Sequence, residues 1–137
     1  MEGAPPIGGD LVDAAEPDPV TTVAWQYGEA SWGRDLHGDP LVRADYDGKP
    51  YEIAFYGCID GAACRDLRFV ARRQSEATAE DIALWNAEHR FGKLRMRDDG
   101  LLEMQMNVTL AGGVSPANLT AQFETWGVVI AQLAALP

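Results

Sequence analysis

Strict alternation of polar and apolar side chains is the sequence feature that most constrains the fold of this chain. Basic and apolar residues alternate from Lys93 to Arg97, and a turn-forming Asp-Asp-Gly follows at 98–100. Apolar side chains then recur at every second position, at Leu102, Met104, Met106, Val108 and Leu110. Successive side chains of a strand point to opposite faces of a sheet, so the pattern predicts two antiparallel strands with one dry and one wet face.

The first half of the chain shows the same alternation in three further segments. They run from Val42 to Tyr46, from Tyr51 to Phe55 and from Leu67 to Ala71, and an Asp-Gly hairpin turn separates the first two. A weaker alternation over 30–34 precedes them. We therefore expect three or four antiparallel strands in a meander, because strands joined by such short loops cannot run parallel. The same argument disfavours Rossmann and flavodoxin folds.

Three segments have the spacing and the capping residues of helices. The first starts at Asp18 and ends at Gly28, and the second starts at a Thr78–Asp81 capping box and ends at Gly92. The third begins with Ser115 and Pro116 and carries an apolar stripe of Leu119, Phe123, Trp126, Ile130 and Leu133. Together the elements predict an α+β fold, in the order α-β-β-β-α-β-β-α, with the helices on one face of an antiparallel sheet.

Length and charge limit the number of domains and the classes of partner. The chain has 137 residues, of which 47% are hydrophobic, and this is enough for a single core. We expect one domain over residues 18–137, preceded by a flexible arm over residues 1–17 that is rich in Gly, Pro and Ala. The net charge of −10 disfavours nucleic acid and anionic membranes as partners. Because long apolar runs and leader-like features are missing from the sequence, we expect no membrane span.

Three motifs in this order resemble the YbjN domain, a bacterial family described as a regulator of sensory transduction. They are YGCIDGAACRDLRF at 56–69, WNAEHRFGK at 85–93 and LAGGVSPANL at 110–119, followed by Trp126. The resemblance covers the chain from Asp18 to its end. It implies a fold similar to type III secretion chaperones, which are small α+β proteins, commonly dimeric, that hold other polypeptides without catalysis. It carries over no catalytic residue, so the matching positions are fold markers, among them Trp85, Asn86, Phe91, Gly112 and Gly113.

Cys58 and Cys64 are the two cysteines of the chain, and the residues between them are predicted to connect two strands. Their Cα atoms can therefore come within disulfide range. The spacing is not a metal-binding CxxC, so the alternatives are a disulfide or two reduced thiols. Resemblance to YbjN members that look exported favours the disulfide, and with it a periplasmic or secreted location after removal of a leader. Reduced cysteines would instead indicate the cytoplasm.

Candidate catalytic and metal-binding residues are few. The two histidines, His37 and His89, lie far apart in the sequence, and surface or packed histidines explain them better than a metal site. The chain has no GxSxG, P-loop or GxGxxG motif. Gly112 and Gly113 before Ser115 have the composition of an anion-binding nest, but a turn between strand and helix is the more common use of such a pair. We therefore predict no enzyme activity, no cofactor and no bound metal.

Basic residues are concentrated in one part of an otherwise acidic chain. Eight of the 11 lysines and arginines fall between Arg65 and Arg97. Alternation predicts that five of them project from the wet face of the sheet as a partner-binding patch: Arg68, Arg72, Lys93, Arg95 and Arg97. Such a patch suits an acidic peptide or another carboxylate-bearing partner. The alternative is a solvated face on which Glu52 and Glu103 balance the arginines as cross-strand partners.

The second half of the last helix is apolar nearly all round, since Gln132 is its single polar side chain between Gly127 and Leu136. Such a helix is either buried on both sides within the domain or meets a second subunit. The second interpretation predicts a homodimer, with four residues at its interface: Val128, Val129, Leu133 and Leu136.

A recognisable family and the lack of catalytic motifs together predict a binding protein. The function we predict is that of a non-catalytic, chaperone-like adaptor or regulator that binds a protein or peptide partner in bacterial signalling. The alternative function is a small-molecule binding module that uses the groove between the sheet and the helices.

Overall fold

A computed structural model describes residues 11–137 of the chain and shows an α+β fold, as the alternation and the helix signals predict. Within that range, three helices accompany a six-stranded antiparallel sheet. In chain order the elements are α1 (Pro17–Ala24), β1 (Ala30–Arg34), β2 (Pro40–Tyr46), β3 (Lys49–Tyr56), β4 (Asp66–Gln74), α2 (Ala79–Glu88), β5 (Lys93–Met96), β6 (Leu101–Thr109) and α3 (Pro116–Ala135).

The strands lie in the order β1-β2-β3-β4-β6-β5 across the sheet. The first four strands form a meander, α2 then leads the chain to β5 at the far edge, and β6 returns to pair with β4. The element order predicted above is short by one strand, because the structure has four strands before α2. The additional strand is β1, whose alternation is weak because Ser31 and Gly33 are small and Ala30 is its one buried residue.

One face of the sheet is buried under the helices and forms the core. Phe69 on β4 has its ring centroid 5.1 Å from that of Phe123 and 5.4 Å from that of Trp126, both on α3. The whole predicted stripe of α3, from Leu119 to Leu133, is buried. Most buried residues of the sheet keep the predicted alternation: Val42, Ala44, Tyr51, Ile53, Phe55, Leu67, Ala71, Leu102, Met104 and Met106. Leu41, Val70 and Glu103 are exceptions, because they are buried although they belong to the opposite face. Helices α1 and α2 contribute to the same hydrophobic cluster, so the opposite face of the sheet is open to solvent.

The described residues of the predicted arm, from Leu11 to α1, are packed against the domain. Ala14 is fully buried in the core. Val12 and Val114 exchange two backbone hydrogen bonds of 2.8 Å, so the segment is tied to the start of α3. Residues 1–10 of the predicted arm lie outside the described range.

Helix α1 begins at Pro17, slightly before the predicted start at Asp18. Proline suits the first helical position, because its fixed backbone angle is helical and its missing N–H would be unpaired there. Asp18 is therefore not the cap but lies in the first turn, where its carboxylate accepts a 2.8 Å hydrogen bond from the indole N–H of Trp32.

The connection from α2 into β5 is fixed by side-chain hydrogen bonds. Thr78 and Asp81 form the predicted capping box, with bonds of 3.1 and 2.8 Å. Gly92 turns the chain with a φ of 83°, and a Cβ there would lie 2.8 Å from a side-chain carbon of α3. The Asn86 side chain donates to the carbonyl of Leu94 at 3.0 Å and accepts from its N–H at 2.8 Å. The helix and the edge strand are therefore held in one fixed relation.

Side chains cap both ends of α3. Ser115 caps the N terminus as predicted, accepting a 3.0 Å bond from a backbone N–H of the first turn. At the C terminus, Arg73 donates to the carbonyls of Leu133 and Ala134 at 3.1 Å each, and also to that of Leu136. Arg73 lies near the end of β4 on the buried face of the sheet. Its guanidinium therefore meets the last turn of α3, where the helix dipole favours a positive charge.

Candidate functional site

The candidate site is the open face of the sheet, which none of the described helices covers. The structure places the five predicted basic residues on this face: Arg68 and Arg72 on β4, Lys93 and Arg95 on β5, and Arg97 directly after β5. Arg43 on β2 shares the same face, opposite Glu52 on β3. The strand register thus brings together side chains that are up to 54 positions apart, from Arg43 to Arg97.

Glu103 on β6 is buried although it belongs to the open face, with 3% of its surface exposed. Arg72 and Arg95 each donate from Nε to its carboxylate at 2.8 Å. Arg97 Nη1 lies 3.4 Å from the same carboxylate, and the amide of Gln105 also donates to it. Three guanidinium groups therefore enclose one carboxylate, and their charge and hydrogen bonds offset the cost of burying it.

The pKa of Glu103 reflects this enclosure. Burial by itself raises the pKa of a carboxyl group, because it penalises the charged form. The hydrogen bonds from Arg95, Gln105 and Arg72 outweigh burial here and lower the pKa from 4.5 to about 2. For Arg72, burial acts to lower the pKa, but the bonds to its two carboxylate partners raise it overall. Glu103 and Arg72 therefore both stay ionised at neutral pH.

A second carboxylate extends this network towards β2. Glu52 lies 3.1 Å from a terminal nitrogen of Arg72 and 3.5 Å from Nε of Arg43. At the other end, Arg97 reaches Asp99 at 3.0 Å. Arg72 and Arg97 each pair with two carboxylates. Such pairing is expected from the alternative prediction, in which acidic residues balance the arginines on a solvated face. These two arginines stabilise the sheet, and their guanidinium groups have few N–H groups left to bind a partner.

Arg68 is held by a different pair of contacts. Its Nε donates to the side-chain oxygen of Asn107 at 2.7 Å. Its guanidinium carbon lies 5.1 Å from the ring centroid of Tyr56, which is 45% exposed. Lys93 makes no ion pair with another described residue. On the open face, Arg72 and Arg97 therefore pair with carboxylates of the sheet, whereas Arg68 and Lys93 have cationic groups that face solvent.

An open groove of about 680 Å³ crosses this face next to the network. Trp25 at the end of α1 forms part of its lining and is 56% exposed. The polar lining includes acidic and basic side chains: Glu29, Arg43, Asp45, Glu52 and Arg72. This composition matches the polar rim and aromatic anchors of protein interfaces.

A second groove, of about 540 Å³, lies between α2 and β5, where a small ligand between sheet and helix would bind. Its lining is mainly aliphatic, with Asn86 and Arg95 as its polar members. Asn86 is already bonded to the backbone of Leu94, and Arg95 to Glu103. Arg95 therefore offers its terminal nitrogens alone, and not the several converging unpaired polar groups that orient a small ligand.

Cys58 and Cys64 form a disulfide, with Cα atoms 3.8 Å apart, as favoured above. The loop that it closes lies against the β1–β2 turn. Arg34 joins the two loops, donating to the carbonyls of Gly38 at 2.9 Å and Gly61 at 2.7 Å. The disulfide is therefore part of a tied pair of loops at one end of the sheet.

The two histidines and the glycine pair lie in packed or turn positions. The His89 ring stacks on Trp85, with centroids 4.1 Å apart, and its Nδ1 lies 2.8 Å from the Trp85 carbonyl oxygen. His37 lies in the turn between β1 and β2, far from the second histidine. Over residues 11–137, no group of three or more His, Cys, Asp or Glu side chains is placed to hold a metal. Gly112 and Gly113 form a turn before α3, with φ angles of 83° and 85°.

Two of the four residues predicted at a dimer interface lie in the core instead. Val129 and Leu133 are 2% and 3% exposed, and they cannot contact a second copy in this fold. Helical spacing places both on the same face as the buried Trp126, which is the physical reason for this correction. Leu136 packs against the core in part, and Val128 is 60% exposed.

Sequence reasoning overlooked Arg43 and the burial of Glu103. The position of Arg43 on the open face could have been predicted, because Arg43 alternates with Val42 and Ala44 in a predicted strand. The burial of Glu103 has no signal in its own segment, since the side chains that cover it come from β4 and β5. It follows only from the register of three strands.

Residues 19–135 match the family model of YbjN, described as "Putative bacterial sensory transduction regulator". The match runs from within α1 to the end of α3. No curated protein and no solved structure matches the chain. Among residues 11–137, no helix has the length and apolar character needed to cross a membrane.

Proposed function

Because the chain belongs to the YbjN family of bacterial regulators, we propose that it is a non-catalytic, chaperone-like adaptor or regulator that binds a protein or peptide partner. The family description names a regulator and no enzyme, which agrees with the lack of recognisable catalytic motifs. The proposed binding surface is the open face of the sheet. Its role would be to pass a signal by holding or releasing that partner.

One observation supports the proposal most. Across β5, β6 and the part of β4 from Arg68 to Arg72, the single acidic residue is Glu103, and it is buried. The solvent-facing charges of these three segments are therefore basic, in a chain of net charge −10, and Asp66 and Asp99 lie at the two ends of this region. A local charge opposite to that of the whole molecule gives a partner one preferred orientation.

The test compares two double variants of equal charge. Arg68→Glu with Lys93→Glu reverses two charges on the open face, whereas Arg90→Glu with Lys49→Glu reverses two charges outside it. Arg95 is left intact, since a new carboxylate there would face the buried one. We expect the wild-type chain and the second variant to capture the same protein from an extract of the native host, and the first variant to lose it. Equal capture by all three folded proteins would contradict the proposed surface.

A purified partner then allows a direct measurement. Titration of the captured protein should give a dissociation constant that rises about tenfold or more in the open-face variant, equivalent to the loss of about 1.4 kcal/mol. Circular dichroism of each variant provides the folding control. The small-molecule alternative would gain weight if no protein is captured and a host metabolite copurifies with the chain.

A homodimer is part of the proposal, with the exposed side of α3 as its contact surface. Val128 is the exposed residue of the predicted interface, and Ala131 and Ala135 lie beside it on that side of α3, together with Glu124 and Gln132. Light scattering at micromolar concentration should give twice the chain mass, and Val128→Glu should reduce this to the mass of one chain. A monomer mass for the wild-type protein would count against the dimer.

An oxidising compartment is also proposed, since the disulfide implies one. The proposal places the protein in the periplasm or outside the cell, after removal of a leader. Alkylation of protein trapped in intact cells should label neither cysteine until a reductant is added. Labelling of both thiols without reductant would indicate the cytoplasm.

A further inference from the structure

We infer that the open face recognises a pair of carboxylates in an extended acidic segment of the partner, one held by Arg68 and the other by Arg95. The inference rests on the proposed function and specifies its partner chemistry. Arg72 and Arg97 belong to the predicted partner-binding patch, but here we assign them the role of stabilising the sheet.

The distinction lies in which guanidinium nitrogens are already bonded. Arg68 is fixed through Nε by Asn107, and Arg95 is fixed through Nε by Glu103. Neither Nη1 nor Nη2 of these two arginines bonds another described residue. Arg72, in contrast, bonds carboxylates through both Nε and Nη1, and Arg97 does so through both terminal nitrogens.

An arginine fixed through Nε presents its two terminal nitrogens as a fork. The two parallel N–H groups of this fork match the two oxygens of a carboxylate. Because Asn107 and Glu103 already restrict the side chains, less rotamer entropy is lost when the fork binds. The side chain of Arg95 is 55% exposed, so its fork is accessible. The bond to Glu103 therefore acts as a positioning contact for Arg95.

The positions of Arg68 and Arg95 in the sheet limit the kind of ligand that can reach both forks. Arg68 lies opposite Asn107 and Arg95 opposite Glu103, and β4 and β5 flank β6 on its two sides. Strand geometry then gives about 13 Å along the strands and about 10 Å across them, or about 16 Å between the two Cα atoms. A small dicarboxylate cannot span this distance. In an extended polypeptide, side chains four positions apart share one face and lie about 13 Å apart, and the long arginine and glutamate side chains cover the remaining distance. Two acidic residues four positions apart would therefore reach both forks.

The charge of the chain argues for a segment with few acidic groups. A net charge of −10 repels a polyanion, and a nucleic acid carries one charge per phosphate. Two carboxylates bring only two charges to this basic part of the open face. The observations therefore favour a polypeptide segment over a polynucleotide.

The experiment uses three fluorescent peptides of Gly, Ser and Thr that differ only in two positions. The first peptide carries two Glu four positions apart, the second carries two Glu two positions apart, and the third carries Gln in place of both. Each is titrated into the full wild-type chain at low ionic strength. We expect the first peptide to bind about tenfold more tightly than the other two, because only it engages both forks.

Two single variants test the assignment to the forks. Arg68→Gln and Arg95→Gln keep a donor for Asn107 and Glu103, and each should remove the advantage of the first peptide. Arg90→Gln removes an equal charge outside the open face and should keep that advantage. The inference is overturned if the three peptides bind equally, if none binds, or if Arg90→Gln has the same effect as Arg95→Gln. Tighter binding of an acidic helical peptide would overturn the extended segment.

The outcome separates this inference from the proposed function. If the open-face variant loses the captured partner but the peptides show no preference for spacing, the binding surface stands and the pair of forks is wrong. If no variant affects capture of the partner, the open face itself is wrong.

Discussion

At the scale of single residues, Glu103 organises the open face. Its carboxylate is the shared acceptor for Arg72, Arg95 and Arg97, which come from β4, β5 and the turn after β5. Removing one partner of a buried charged cluster leaves the others uncompensated, which is why such clusters tolerate few substitutions. The side chain is therefore important both for stability and for the direction in which the arginines point.

Acidification should remove stability through this residue. The pKa of Glu103 falls from the ordinary glutamate value of 4.5 to about 2 on folding, so the folded state binds the proton more weakly than the unfolded state does. Its stabilisation is complete above pH 4.5 and is lost as the pH falls towards 2. Glu103→Gln should flatten the pH dependence of the free energy of unfolding in this window. At neutral pH it should lower that free energy by roughly 2 to 3 kcal/mol.

Urea unfolding followed by circular dichroism between neutral pH and pH 3 provides the measurement. Glu52→Gln is the matched control, because Glu52 bonds two of the same type of side chain but is more exposed. Its effect should be smaller. A wild-type pH profile in Glu103→Gln would show that the carboxylate contributes nothing.

At the scale of elements, α3 depends on a side chain from the sheet. Arg73 bonds three carbonyls of the last turn and lies beside the negative end of the helix dipole. Arg73→Met keeps most of the apolar stem and removes these bonds. It should destabilise the protein by about 1 to 2 kcal/mol and speed amide hydrogen exchange near the end of α3.

Hydrogen exchange distinguishes a local effect from a global one. Exchange in the first turn of α3, which Ser115 caps, should change no more than the global loss of stability requires. Arg90→Met is the control for loss of an arginine. If it destabilises the protein as much as Arg73→Met does, the cap is not the cause.

The disulfide is the second element with a measurable contribution. Cys58 and Cys64 close a short loop, so the entropy argument gives a stabilisation on the order of 2 kcal/mol. Cys58→Ser with Cys64→Ser should lower the midpoint of urea unfolding accordingly. Wild-type protein measured with and without reductant provides the matched comparison. An unchanged midpoint in both experiments would show that Arg34 and the β1–β2 turn hold the loop without the bond.

Elements with strong local signals were predictable, and those set by distant residues were not. The stripe of α3, the capping box of α2 and the β5–β6 hairpin follow from spacing and turn residues within each segment. Strand β1 has little apolar character of its own and is recruited by pairing with β2. The packing of Ala14 depends on neighbours that lie far along the chain.

The candidate site was predictable to the same extent. Alternation is enough to place Arg68, Arg72, Lys93 and Arg95 on one face. Alternation cannot distinguish an arginine that pairs with two carboxylates from one whose terminal nitrogens are free. That difference depends on which acidic residues the strand register places next to each arginine. The burial of Glu103 and the turn of Arg73 towards α3 are for this reason visible only in the structure.

At the scale of the whole molecule, the sheet joins the two halves of the chain. The pairing of β4 with β6 connects residues as far apart as Asp66 and Thr109, and α3 packs across both strands. Neither half can bury its apolar face alone. We expect a single unfolding transition, with coincident curves from far-ultraviolet circular dichroism and tryptophan fluorescence.

The long-range pairing should also slow folding. Domains dominated by non-local strand pairing refold in roughly milliseconds to seconds, and stopped-flow fluorescence of Trp126 and the other tryptophans can measure this. Two separate equilibrium transitions would contradict the prediction, since they would mean that the meander or the β5–β6 hairpin with α3 is stable by itself.

The hydrogen bonds between Asn86 and Leu94 have a consequence for the solubility of the protein. A sheet can grow at an edge only where backbone groups are available to an incoming chain, and this is how many proteins aggregate. The amide of Asn86 occupies both backbone groups of Leu94, at the middle of the short edge strand β5. An amide side chain resembles a peptide group, so Asn86 imitates one residue of a neighbouring strand and ends the sheet there.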